Sequence, residues 1–185
     1  LLQEDKFKTY YFKLSFVLKE HERVLGLVMP VMRPLLKAHI ESLDNLIQPG
    51  ISLLTWQSMN IDGYLQRFHS SLSKFEELVH KVNELIENRI ERTLKVISKN
   101  VLVDIGLDRT FTLDEFVILQ ERMTKSKTSM MDSKNLEVER ATDDLVDLVQ
   151  GTVLEDMSPD PDAFSSAQAL RLHYSRMMYL SLLNA

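Results

Sequence analysis

IDGYLQRFHSSLSKFEELVHKVNELIENRIERTLKVISKNV, residues 61–101, decides the fold of this chain. Apolar residues fall at Ile61, Leu65, Phe68, Leu72, Phe75, Val79, Val82 and Ile86, in steps that alternate between four and three. That alternation holds an apolar stripe on one side of an α-helix and is the heptad seam of helix–helix packing. The stripe continues through Ile90, Leu94, Ile97 and Val101, with consecutive fours around Ile86–Leu94. Such an insertion locally relaxes a left-handed supercoil. The expectation is one strut helix of about forty residues, roughly 60 Å long at a rise of 1.5 Å per residue. Its outer face carries Glu76, Glu77, Lys81, Glu84, Glu87, Arg92 and Lys95, with Glu77 and Lys81 spaced i,i+4.

The flanking sequence is also helical in character. Only five glycines and five prolines occur in 185 residues, against many Leu, Met, Glu and Lys. Pro30 and Pro34 divide the first segment into helices expected at about 1–29 and 32–47, because each removes a backbone donor and restricts its predecessor. Pro49 and Gly50 follow, and Gly50 predicts a sharp stop at positive φ. "ISLLTW", 51–56, then reads as an extended connector whose Leu53, Leu54 and Trp56 tuck into a groove between helices. Trp56 is expected to be buried there, closing the junction between helix 32–47 and the first turns of the strut.

Beyond the strut, Thr112 and Glu115 form a capping box and Phe111 faces Phe116 as a hydrophobic staple, so a helix starts at "TFTLDEF". "KSKTSMMDSK", 125–134, reads as a polar break. A further amphipathic helix then places Leu136, Ala141, Leu145 and Leu148 on one face, "SPDPD" ends it, and a last helix covers 163–183. The predicted fold is all-α: an elongated helical bundle with one long strut, a slice of a larger bundle array. Residues 1–157 read as the bundle segment, and 158–185 as a loop and the start of the next bundle. The chain opens on Leu1 with a stretch that looks mid-helix, as an excerpt of a longer polypeptide would.

Composition removes several function classes. There is no cysteine, so disulfides and thiolate metal sites are excluded, which fits a reducing compartment. The apolar runs are too short to span a bilayer and no signal peptide opens the chain, so the expectation is an intracellular protein without membrane insertion. The net charge is −5, with ten acidic and two basic side chains between 132 and 162 and +3 elsewhere. No broad basic face is available for nucleic acid. Gly-rich phosphate loops, zinc helices of the His-Glu-x-x-His type and nucleophile elbows are all missing.

Two constellations come closest to a site. Glu76, His80 and Glu84 share a helix face at ligand spacing, but they flank the apolar stripe and read as a solvated face. "DIGLDRTFTLDE", 104–115, places Asp104, Asp108, Thr112 and Glu115 where an EF-hand loop carries ligands. Gly106 stands where a carboxylate is wanted, however, and Arg109 where the turn needs glycine. No catalytic, cofactor-binding or metal-ligating residue is assigned, and no cofactor is expected.

"LDNLIQPGISLLTWQSMNIDGYL", 43–65, resembles the amino-terminal tail of dynein heavy chains, in which a Pro-Gly and a Leu-Thr-Trp-x-Ser signature precede a long helix. The residues that carry the likeness are Pro49, Gly50, Leu54, Thr55, Trp56, Ser58, Ile61 and Tyr64. The likeness extends over most of 20–150, and the wording around "LLTWQSMNID" is closest to axonemal, outer-arm-type chains. It implies a non-catalytic stack of helical bundles that assembles heavy chains and recruits intermediate and light chains. It also implies anchoring to docking proteins on doublet microtubules, and thus a place in the cytoskeleton of the ciliary axoneme. The ATPase modules of such a motor would lie elsewhere in the polypeptide. Two other readings follow from the residues alone: a homodimeric coiled-coil scaffold through the 61–86 seam, and a calcium-responsive regulator through 104–115.

Overall fold

The computed structural model describes residues 2–52, 61–101, 106 and 108–183, and every regular element among them is helical. Helix α1 spans Leu2–Gly26, α2 Lys37–Ser52, α3 Ile61–Leu85, α4 Arg92–Ser98, α5 Leu113–Gly151 and α6 Ala163–Leu183. A 3-10 turn, Pro30–Met32, stands between α1 and α2, and a π-helical turn, Ile86–Glu91, joins α3 directly to α4. The fold is all-α as expected, and the strut is the unbroken run from Ile61 to Ser98. The chain forms two compact units, Leu1–Asn83 with Val146–Ala167 and Glu84–Leu145 with Gln168–Ala185.

In the first unit the two prolines separate α1 from α2: Pro30 opens the 3-10 turn, where its missing donor is not needed, and Pro34 sits in the turn beyond it. Contacts order the helices. Lys13 pairs with Asp62 at 3.0 Å, Arg23 with Glu76 at 2.7 Å, and the Asn83 amide donates to the Leu27 carbonyl at 3.0 Å, so α1 and α3 run in the same direction. Between them α2 returns, with His39 stacked near Phe75 and Ile47 beside Tyr64. Val24, Met32, Leu36, Leu43, Phe68, Phe75, Val79 and Val82 are at most 1% exposed and form this core. In the second unit Asn100 accepts from Lys127 at 2.7 Å and Arg89 pairs with Asp144, so α4 and α5 run antiparallel. α6 lies along α5 through Arg171 and Asp143, 2.9 Å apart, and Ile90, Ile97, Ala141 and Leu145 are fully buried.

The π turn accounts for the consecutive fours in the strut. At about 100° per residue, two successive steps of four carry a stripe about 80° around an α-helix. Bonding from i to i+5 widens the turn and takes up the extra residue. Ile86, Ile90, Leu94 and Ile97 accordingly stay buried, at 2, 0, 8 and 0% exposure.

Three expectations are corrected. Helix α2 does not stop at Pro49-Gly50 but continues to Ser52, so Ile51 and Ser52 belong to a helix and not to an extended connector. A proline in the last turn removes a single hydrogen bond, and the end is held from outside by the Tyr64 hydroxyl, which donates to the Leu46 carbonyl at 2.8 Å. Residues 125–134 do not interrupt a helix, because α5 is continuous over 39 residues. The run contains neither Gly nor Pro, and Lys, Met and Ser are adequate helix formers. The buried face of α5 is Val138, Ala141, Thr142, Leu145, Val146 and Val149, whereas Leu136 is 43% exposed and Leu148 half-buried. The expected face was thus rotated away from the true one at both ends.

Candidate interaction surfaces

The signature residues divide between described and undescribed parts of the chain. Leu53, Leu54, Thr55, Trp56 and Ser58 lie outside the described residues, and with them the expected burial of the tryptophan. Pro49 and Gly50 lie in the last turn of α2, and Ile61 opens α3, half-buried. Tyr64, 5% exposed, ties the start of α3 to the end of α2 through the Leu46 and Ile47 carbonyls, at 2.8 and 3.4 Å. Its role is to fix a helix junction.

The most elaborate polar site in the first unit binds α2 to the segment after α5. Lys37 meets Asp162 at 3.0 Å, His39 Nε2 lies 2.7 Å from the Thr152 carbonyl, and Ser42 Oγ donates to the Glu155 carbonyl at 3.1 Å. Burial pushes the His39 pKa down, against smaller upward contributions from the Thr152 bond and from Asp160. The ring is therefore neutral at pH 7 and donates from Nε2. A hollow of about 340 Å³ lies over it, lined by Leu35, Ala38, Val149, Val153 and Met157. His21, 8% exposed beside Phe68, is likewise lowered by burial, which outweighs the attraction of Asp44 and Glu22.

In each metal constellation a described carboxylate already has a protein partner. The Glu76 carboxylate receives Arg23 at 2.7 Å, with His80 at 3.7 Å. Glu115 closes the expected capping box: its carboxylate accepts from the Thr112 backbone at 2.9 Å, and its own N–H donates to Thr112 Oγ1 at 3.3 Å. The carboxylate also accepts from the Thr112 hydroxyl at 2.9 Å, and these two bonds from Thr112 hold the Glu115 pKa down. Asp104 is outside the described residues. Among the described residues no group of three or more His, Asp or Glu side chains is placed to hold a metal ion. In the acidic stretch, Glu137, Asp143, Asp144 and Asp162 pair with Lys134, Arg171, Arg89 and Lys37.

Several large apolar side chains also remain outside. Among the described residues of α3 and α4, Val96 is the only large apolar side chain that is well exposed, at 45%. The exposed apolar groups cluster elsewhere. On α1 they are Tyr11, Phe12 and Phe16, 60–69% exposed. On the first turns of α5 they are Leu113, Phe116, Val117 and Ile118, and on α6 Phe164, Leu172, Tyr179, Leu180 and Leu183. In the second unit α5 and α6 also frame an open groove of about 270 Å³ between Asn135, Val138 and Thr142 on one side and Tyr174 and Met178 on the other. Burial raises the Tyr174 pKa to about 12, with Glu91 adding to the effect, so the phenol stays protonated. Sequence periodicity finds buried stripes, and it missed these surfaces because a helix with two apolar sides has no clear period to read.

Residues 1–64 match the family model of the dynein heavy chain, N-terminal region 1. The chain is 42% identical over 179 residues to the dynein gamma chain of the flagellar outer arm from Chlamydomonas reinhardtii, which covers 97% of this chain and 4% of that protein. It is 31% identical over 147 residues to mouse dynein axonemal heavy chain 5, covering 80% of this chain and 3% of the relative. Human dynein axonemal heavy chain 10 is 31% identical over 83 residues, 45% of this chain and 2% of that protein. The chain thus spans only a few per cent of the length of the relatives it matches. A helical segment carrying these matches belongs to the axonemal dynein heavy chains, as part of their amino-terminal tail region.

Proposed function

We propose that this segment is a non-catalytic, load-transmitting piece of a dynein stem in the axoneme, and that it holds other chains in place. Its neighbours in this reading are other dynein heavy chains, intermediate and light chains, and docking proteins on doublet microtubules. The observation that carries the reading is the placement of apolar surface. Three separate helix faces, on α1, α5 and α6, keep large apolar side chains outside. Exposed aromatic and aliphatic clusters of this kind mark protein–protein contact. The α1 cluster falls within the residues that match the family model.

The coiled-coil reading has less support. The seam from Phe68 to Ile97 is covered by the chain's own helices and is not free to pair with a second copy. The calcium reading loses the Glu115 carboxylate to the helix cap. No cofactor enters the proposed role, and the ATP-driven step belongs to other parts of a heavy chain.

Removing residues 1–185 from a full-length heavy chain tests the proposal. The expected result is loss of complex assembly, read as failure of intermediate chains to co-purify, with no ATP hydrolysis by the segment itself. Normal assembly after the deletion, or robust hydrolysis by the isolated segment, overturns it.

A further inference from the structure

The hollow over His39 holds two acceptors that lack donors. The His39 ring is 2% exposed and donates its Nε2 proton to the Thr152 carbonyl, so Nδ1 carries a lone pair, and no described group donates to it. Asp160 lines the same hollow. Its Oδ1 accepts from the Asp162 N–H at 2.9 Å, while its Oδ2 is buried and unpartnered. Buried polar atoms are nearly always paired, and each of these two stands out for that reason. No Lys or Arg is among the described residues that line the hollow, and most of its wall is apolar.

The approach to the hollow is acidic. Residues 152–162 carry Glu155, Asp156, Asp160 and Asp162 and no Lys or Arg. Of these four only Asp162 joins an ion pair among the described residues, with Lys37 at 3.0 Å, and Asp160 attracts the same lysine. The local charge is therefore negative, and it draws in a diffusing partner of the opposite sign. Two acceptors on separate groups, inside an apolar collar, suit arginine best. It has five N–H donors in a planar fork, no acceptor, and a methylene stem that packs on apolar walls. A volume of about 340 Å³ is near the small end of the range for ligand pockets and fits one such side chain.

Resting on the stem reading above, we propose that this hollow is the socket for an arginine on a basic segment of a separate polypeptide. The guanidinium donates to Asp160 Oδ2 and His39 Nδ1, and its stem lies against Val153 and Met157. The acidic loop indicates the source. Long-range attraction speeds the encounter of molecules that must diffuse together, whereas a covalently linked segment is already held at high effective concentration.

The test places the photo-crosslinker p-benzoylphenylalanine at Val153, 65% exposed beside the hollow, in a full-length heavy chain within its assembled complex, and maps the product by mass spectrometry. The expected crosslink joins another polypeptide at a segment with an arginine within one helical turn of the attachment point. Replacing that arginine by Gln should lower the crosslink yield about tenfold, and so should Asp160→Asn, because each removes one partner of a desolvated charge pair. The first replacement leaves this chain untouched, so its effect is independent of how well the hollow folds. A crosslink within the same heavy chain, a crosslink to a segment without arginine, no crosslink at all, or an undiminished yield after the arginine is replaced overturns the proposal. Each of these results is compatible with failed assembly after deletion of 1–185, so the stem reading stands or falls on its own experiment.

Discussion

The strut from Ile61 to Ser98 and helix α5 are almost equal in length, at 38 and 39 residues, yet their surroundings differ. The strut is anchored along its length by one buried row that runs from Tyr64 to Ile97. The buried side chains of α5 begin only at Val138, and its first turns hold Leu113, Phe116, Val117 and Ile118 outside the core. The difference shows that helix length and helix anchoring are separate properties of a sequence. Local propensity and the absence of Gly and Pro carry α5 through 125–134, whereas tertiary burial fixes the strut.

The largest break in that comparison is a cavity. Phe75 is fully buried in α3 and its ring lies 6.4 Å from that of His39. Phe75→Ala should cost about 3–5 kcal/mol through lost burial and the void left behind. Phe116→Ala, on the exposed part of α5, should stay within about 0.5 kcal/mol. Urea unfolding of both variants checks the contrast, and similar midpoints would refute it.

Acid is the second probe. Burial lowers the folded-state pKa of His39 below its value in the unfolded chain, so the unfolded state takes up the proton first. The stabilisation is complete above the unfolded pKa near 6.5 and is lost as pH falls below it toward the folded value. His21 is shifted in the same direction and adds to the slope. Melting temperature should therefore fall between neutrality and mild acid, and His39→Gln, which keeps a donor for the Thr152 carbonyl, should flatten part of that fall. An unchanged slope in the variant would remove His39 as the cause.

These effects also show what the sequence disclosed. The strut was legible because Phe68, Leu72, Phe75, Val79 and Val82 obey one period and all face one core. Even the irregular steps at Ile86, Ile90 and Leu94 were visible, and they mark the π turn. The capping box of Thr112 and Glu115 was legible because it is a contact between near neighbours. The passage of α2 through Pro49-Gly50 was not, since the Tyr64 hydroxyl that steadies its end comes from another helix. The open faces of α1 and α6 escaped for a related reason: exposure of Phe12 or Leu172 is a property of what packs nearby, and nothing within their own helices records it.

A milder change sharpens the account of the strut. Deleting Asn88 from the π turn shortens the steps around it, so that the apolar row from Val79 to Val101 alternates three and four throughout. The deletion should convert the turn to regular α-helix and cost only about 1 kcal/mol, because the row stays on one side. A one-residue deletion in a regular part of the helix rotates everything beyond it by about 100° and has no such compensation. Loss of cooperative unfolding on deletion of Asn88 would show that the π turn does more than absorb the extra residue.

The smallest effect is expected at the start of α5. Thr112 and Glu115 satisfy each other's backbone donors there, and Thr112→Ala should remove about 1 kcal/mol of helix stability. In a helix packed along its whole length that loss would count against global stability. The first turns of α5 instead have exposed side chains at Leu113, Phe116, Val117 and Ile118, so their opening leaves the cores intact. The next tie along the helix is Lys127, which donates to Asn100 at 2.7 Å, and fraying should end there. Hydrogen exchange of the amides from 116 to about 123 should accelerate roughly fivefold, as follows from about 1 kcal/mol, while exchange beyond 138 and the urea midpoint stay unchanged. Faster exchange across the whole of α5 would mean that its two halves unfold as one unit, and the distinction between a free and an anchored half would fail.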